Sequence, residues 1–257
     1  MNKLLSWIEK SKNDIDTGVV GYCYVPDESN EPISKAEIGA TIRNATEGPP
    51  WIVVDQSLNS IVVAKWPGRL WKLRVIHEAT EQPNASATYV RAVAIKVLEE
   101  LSVSVLFGEH GRNVVNVIES ARHLDVPKAI ELRSAFNKEA SEMYSEAWNR
   151  WLSELCRVDP NHKRDDHTDT LAISGGSKRS PVGAAFTVLY TVLRNRLNEI
   201  IGDLAFVVDE DGNESFSPEW SDTLNAYVCA IMGYGVEDFM SDSEKNIMSK
   251  AWRETFE

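Results

Sequence analysis

Over the first 80 residues the apolar positions fall in short β-branched and aromatic runs. From about residue 85 they recur at intervals of three and four. That change of period predicts an α+β chain: a small N-terminal antiparallel sheet module, then a mainly α-helical domain with one β-hairpin. The expected division is residues 1–82 and 83–257. In the first part, residues 3–12 read as a short helix and GVVGYCYV (18–25) as a strand closed by the turn cluster PDESNEP. SKAEIGATIRNA starts with Ser34 and Glu37 at capping-box spacing, so a helix is expected up to Gly48, where Pro49 and Pro50 stop it. WIVVD, SIVVAKW and RLWKLRVIHE follow as three strands of a meander with short connections.

In the second part, TYVRAVAIKVLEEL places Val90, Val93, Ala94, Val97, Leu98 and Leu101 on one helical face. GRNVVNVIESARHL repeats the pattern through Val114, Val117, Ile118 and Ala121. Pro127, with Asp125 near the cap, opens a long helix predicted to continue to Leu155. Residues 158–179 have no period and read as a loop, and the all-round apolar helix 181–201 is expected to be central. LAFVVDEDGNESFSPEW is a hairpin with Asp211-Gly212 at its tip. Two helices, near 218–231 and 242–255, close the chain, the second announced by a Ser241/Glu244 capping box.

Composition changes this picture little, whereas charge changes it more. The chain has 257 residues, 43% hydrophobic and 26% charged, the balance of an ordinary folded protein. Its formal net charge is −12, which argues against nucleic acid as the main partner. The acidity is concentrated: residues 199–257 hold 3 basic and 14 acidic side chains. Cys23, Cys156 and Cys229 are widely spaced in apolar runs and are expected to be buried free thiols, as in a reducing cytoplasm. The N-terminal apolar stretch is too short for a signal sequence and no stretch reaches membrane-spanning length, so a cytoplasmic protein is expected, with no membrane partner.

Two segments carry candidate chemistry. LAISGGSKRSPVGAAF has Ser180 and Pro181 as a helix start, so Ser177, Lys178, Arg179 and Ser180 form a candidate site for a small anion. The plainer reading is a basic linker, since the glycine spacing is not that of a phosphate-binding loop. In VVAKWPGRLWKLRVI, Trp66 and Trp71 interleave with Lys65, Arg69, Lys72 and Arg74, with no acid between Gln56 and His77. Trp66, Arg69, Trp71, Lys72 and Arg74 are therefore the candidate protein interface. The alternative is a small sheet with one buried Trp and an ordinary basic face.

His162, His167, Asp165, Asp166 and Asp169 lack the fixed spacing of metal ligands, HEATE lacks a second His, and DEDGNESF has its Gly misplaced for a calcium loop. No metal and no cofactor are expected. The functional expectation is a non-catalytic interaction protein, that is, an accessory subunit, inhibitor or adaptor with a protein partner. The alternative is an enzyme or sensor binding an anionic small molecule over residues 174–182.

Overall fold

Tyr89–Leu101, predicted as helix, is instead a 13-residue strand, and it organises the sheet. The computed structural model describes residues 18–158, 181–235 and 240–257. The predicted helix at 3–12 lies outside the described residues, as does the loop predicted over 158–179 except for Val158, which ends a helix. The fold is α+β, an antiparallel barrel-like sheet followed by helices and a small hairpin.

The chain forms two units, one of residues up to Ile61 together with Arg69–Leu101, the other of Val62–Gly68 together with Ser102–Glu257. In the first, β1 is Val20–Pro26, β2 Thr41–Arg43, β3 Ile52–Asp55, β4 Gly68–Glu78 and β5 Tyr89–Leu101. β5 pairs with β2 and β3 along one edge and with β4 along the other, all antiparallel. β3 also pairs with β1, and β1 neighbours β4, so β5, β3, β1 and β4 close into a ring. Gly21 permits the β1–β3 contact, because a Cβ there would overlap the carbonyl of Asp55. Inside lie Val25, Ile33, Val54, Trp71, Leu73, Val75, Ile95 and Val97.

The helical reading of β5 fails for a physical reason. Ala92, Val93, Ala94, Ile95 and Val97 are all buried, so the strand shows no inside–outside alternation. Its pairing with β4 also shifts register between Lys72 and Leu73 and again after Val75. An apolar run of this kind matches a three–four spacing by chance. The predicted helix after Ser34 is likewise corrected. Pro32–Lys35 is a single 3-10 turn, in which the Ser34 hydroxyl donates back to Glu31 O at 2.7 Å instead of capping. Gly39 (φ +87°) then turns the chain, and Gly39 and Ala40 bond to Val97 of β5. The edge of a strand about 60 residues away overrides local helix propensity. SIVVAKW is no strand: a 3-10 turn at Leu58–Ser60 leads into irregular chain with a cis Trp66–Pro67 bond.

The second unit contains α1 (Gly111–Arg122), α2 (Val126–Ala135), α3 (Lys138–Val158), α4 (Pro181–Ile201), α5 (Ser221–Gly235) and α6 (Asp242–Phe256). α4 packs on α1 and α5 and buries Val188, Leu189, Leu193 and Leu197. Thr187, Thr191, Arg194, Asn195, Asn198 and Glu199 are exposed, so the helix covers one face and is not enclosed all round as its sequence suggested. α6 packs on α2, α3 and α5. The single helix expected from Pro127 to Leu155 is two. Phe136 is extended (φ −68°, ψ 137°), and the Asn137 side chain accepts from the N–H of Ala140 at 2.9 Å, capping a new helix.

Two of the caps expected from the sequence form. The Asp125 carboxylate accepts from Lys128 N–H, and Ser241 and Glu244 form the reciprocal box. Glu244 also takes a hydrogen bond from Arg150 of α3 at 2.7 Å. The Ser241 N–H, the Arg150 guanidinium and the Ser241 hydroxyl together hold its carboxyl at about 2, well below the usual range. A depressed carboxyl stabilises the fold above its unfolded value and loses that effect as pH falls towards the folded one. Glu244→Gln is therefore expected to cost about 1 kcal/mol at neutral pH. It should also flatten the fall in the denaturation midpoint between about pH 5 and about pH 3 relative to wild type. An unchanged pH profile in the variant would remove this coupling.

Candidate interaction surface

The basic Trp segment divides between the two units. Trp66 belongs to the helical one, where its indole N–H donates to Glu119 Oε1 at 2.6 Å and its ring lies 6.0 Å from Phe107. Arg69, Trp71, Lys72 and Arg74 lie on β4 of the sheet unit. Trp71 is fully buried in the barrel core, and the Arg69 guanidinium covers its ring at 4.3 Å. Arg69 is held by both oxygens of Glu100 (2.7 and 2.8 Å) and by Ser34 O (3.2 Å). That bidentate bond holds Glu100 below and Arg69 above their ordinary values. Lys72 faces Glu99 across the β4–β5 pair at 3.8 Å. Arg69 and Lys72, which lack acidic neighbours in sequence, find them on β5. The chemistry of this segment is thus largely internal: an arginine clamp over a core tryptophan, flanked by a cross-strand ion pair.

The other candidates are quickly placed. Ser177, Lys178, Arg179 and Ser180 lie outside the described residues, as do His162, His167 and their neighbouring aspartates; the helix after them does begin at Pro181. Among the described residues, no three His, Cys, Asp or Glu side chains are placed to hold a metal ion. Cys229 is buried and its thiol donates to Ala140 O, whereas Cys23 is half-buried. Burial pushes both thiols up to about 12, leaving little thiolate at neutral pH. The Cys156 side chain lies outside the described set. No helix among the described residues is long and apolar enough to cross a membrane.

A different surface emerges on the hairpin. β6 (Phe206–Val208) and β7 (Glu214–Phe216) pair through Phe206–Phe216, Val207–Ser215 and Val208–Glu214. The turn is built by Asp209, whose carboxylate accepts from Asp211 N–H, Asn213 N–H and the Asn213 amide, with Gly212 at φ +83°. These bonds hold the Asp209 carboxyl below its usual range. The ribbon is anchored by Phe206 and Phe216, 5.4 Å apart, with Phe216 edge-on to Tyr190 of α4 at 5.3 Å. Arg194 of α4 reaches Glu214 at 2.6 Å. Beyond that anchor the apolar side chains have no cover: Leu204 is 78% exposed, Val208 64% and Val207 44%.

The carboxylates of the acidic segment divide into those with a cation beside them and those without. From Leu197 to Glu244 the sequence has no Lys, Arg or His. Glu214, Glu219 and Glu244 borrow Arg194, Arg133 and Arg150 from earlier helices, and Glu199 pairs with Arg196 one turn before it on α4. Among the described residues, Asp203, Asp209, Glu210 and Asp211 near the hairpin pair with no cation, and neither does Asp222 of α5. Periodicity located this hairpin, but only the anchoring of its two phenylalanines shows which side chains are left outside. No protein-family model matches the chain, and no curated protein or solved structure matches it.

Proposed function

We propose that the chain is a cytoplasmic protein-interaction protein, an accessory subunit, inhibitor or adaptor, rather than a catalyst. The observation that supports this is the ribbon: a firmly anchored hairpin that exposes Val207 and Val208, with Leu204 of the 3-10 turn Gly202–Ala205 before it, beside carboxylates that have no cationic partner. Clustered exposed apolar side chains with a polar rim mark a docking surface. The basic Trp segment is the weaker candidate, because Arg69 and Lys72 are engaged within the sheet and Trp71 is core.

The test is site-specific photocrosslinking in the source cells, with a photoreactive residue at Val207 in one strain and at Lys72 in another. A discrete adduct formed through position 207, and absent when Leu204→Ser and Val208→Thr are added, is the expected result. Adducts only through position 72 would move the surface to β4. No adduct at either position would remove the interaction reading.

A further inference from the structure

We infer that the free edge of β6 accepts an extended basic segment of a partner protein as an added strand, an inference that rests on the interaction reading above. The first observation is the edge itself. Asp209 N–H bonds to Asn213 O, and Ser217 N–H bonds to Ala205 O. Antiparallel pairing alternates, so residues 205, 207 and 209 turn their polar groups towards β7, and residues 206 and 208 turn theirs away. Phe206 N–H is taken by Asp203 O. The N–H and C=O of Val208 and the C=O of Phe206 remain as a short ladder facing outwards. Such an edge is the ordinary template for strand addition.

The second observation is where the exposed valines stand. Successive residues of a strand point to opposite faces, so Val207 and Val208 flank the ribbon on both sides. A flat surface pressed on either face reaches one of them. A strand laid along the edge reaches both, with its own side chains alternating between the same two faces. The third observation fixes the charge of the occupant. Asp203 before β6 and Glu210 and Asp211 after it flank the strand in sequence without cationic partners, while Asp209 is taken up by the turn and Glu214 is already neutralised by Arg194. Lysines and arginines alternating with apolar residues would satisfy the carboxylates and cover the valines together.

The probe is a short synthetic peptide alternating lysine with valine, with a glutamate–valine peptide as control, titrated into the full-length protein by fluorescence anisotropy. The expected result is saturable binding of the lysine peptide, weakened on raising salt, and at least tenfold weaker binding of the glutamate peptide. Val208→Pro removes an edge N–H that the fold does not use, so the variant should keep its melting temperature and lose binding tenfold or more. Asp203→Asn with Glu210→Gln should weaken the lysine peptide and reduce its salt dependence.

Equal binding of the two peptides, or undiminished binding by Val208→Pro, overturns strand addition by a basic segment. So does concentration-dependent dimerisation abolished by Val208→Pro, because the edge would then belong to a second copy of this chain. If the photocrosslink through Val207 forms while the lysine peptide fails to bind, the interaction reading stands and the strand inference falls. If neither occurs, both fall.

Discussion

Trp71→Ala is expected to destabilise the sheet unit by about 3–5 kcal/mol, the usual cost of removing a fully buried tryptophan. Trp71 is completely enclosed, and its neighbours Leu73, Val75, Ile95 and Val97 come from β4 and β5 along the closed ring. They cannot collapse into the void without breaking strand pairing. The informative companion is Trp71→Phe. Among the described residues the indole N–H has no hydrogen-bond partner, so the native side chain carries a buried unsatisfied donor. An orphan donor costs about 1–3 kcal/mol, which offsets much of the volume lost to phenylalanine. Trp71→Phe is therefore expected within about 1 kcal/mol of wild type by urea denaturation. A loss of about 2 kcal/mol or more would mean that the N–H is satisfied.

The same pair of substitutions should behave differently at Trp252. Its indole N–H donates to Ser120 Oγ at 2.8 Å, its ring stacks on Phe256 at 5.8 Å, and it meets Tyr234 edge-on at 5.7 Å. Ser120 in turn donates to Val117 O and lies 3.5 Å from the Tyr227 hydroxyl, so a short polar chain ties α1, α5 and α6 together. Trp252→Ala should cost about 3–5 kcal/mol. Trp252→Phe should cost about 1–2 kcal/mol, because it removes a made hydrogen bond instead of an orphan. Calorimetry on the four variants is the check. If the phenylalanine substitution has the same effect at both positions, hydrogen bonding does not distinguish the two sites.

What could be read from the sequence, and what could not, follows the range of the interaction concerned. The Asp125 cap, the Ser241–Glu244 box and the Gly212 turn involve neighbours within four residues, and all appear where the sequence places them. The helical state of α4 was also legible, because the apolar stripe Val188, Leu189, Val192, Leu193 and Leu197 recurs at helical spacing, although its exposed opposite face was not expected. β5 could not be read in this way, because its state is decided by β2, β3 and β4 and its alternation is erased by burial and register shifts. The break at Phe136 was present in the sequence as Asn137, a cap residue inside an otherwise continuous apolar repeat. The clamp on Arg69 was hidden for a different reason: Glu99 and Glu100 stand about 30 residues downstream, and only the β4–β5 register brings them across. The ribbon's exposed valines depend on how far Phe206 and Phe216 extend over α4, which no periodicity encodes.

Val62–Gly68 belongs to the helical unit although it lies between β3 and β4, so the polypeptide passes between units at 61/62, 68/69 and 101/102. No single cut can therefore separate the two as intact fragments. A piece beginning at Ser102 would lack Trp66, leaving Glu119 without its indole donor and Phe107 without its aromatic neighbour. A piece ending at Leu101 would carry Trp66 away from the residues it packs with. Excising or transplanting either unit calls for a graft: the helical portion needs residues 62–68 supplied as a tethered or added peptide, and the barrel needs that segment replaced by a polar turn. Recovery of the helical fragment's cooperative melting on addition of such a peptide would measure how much this one borrowed stretch contributes.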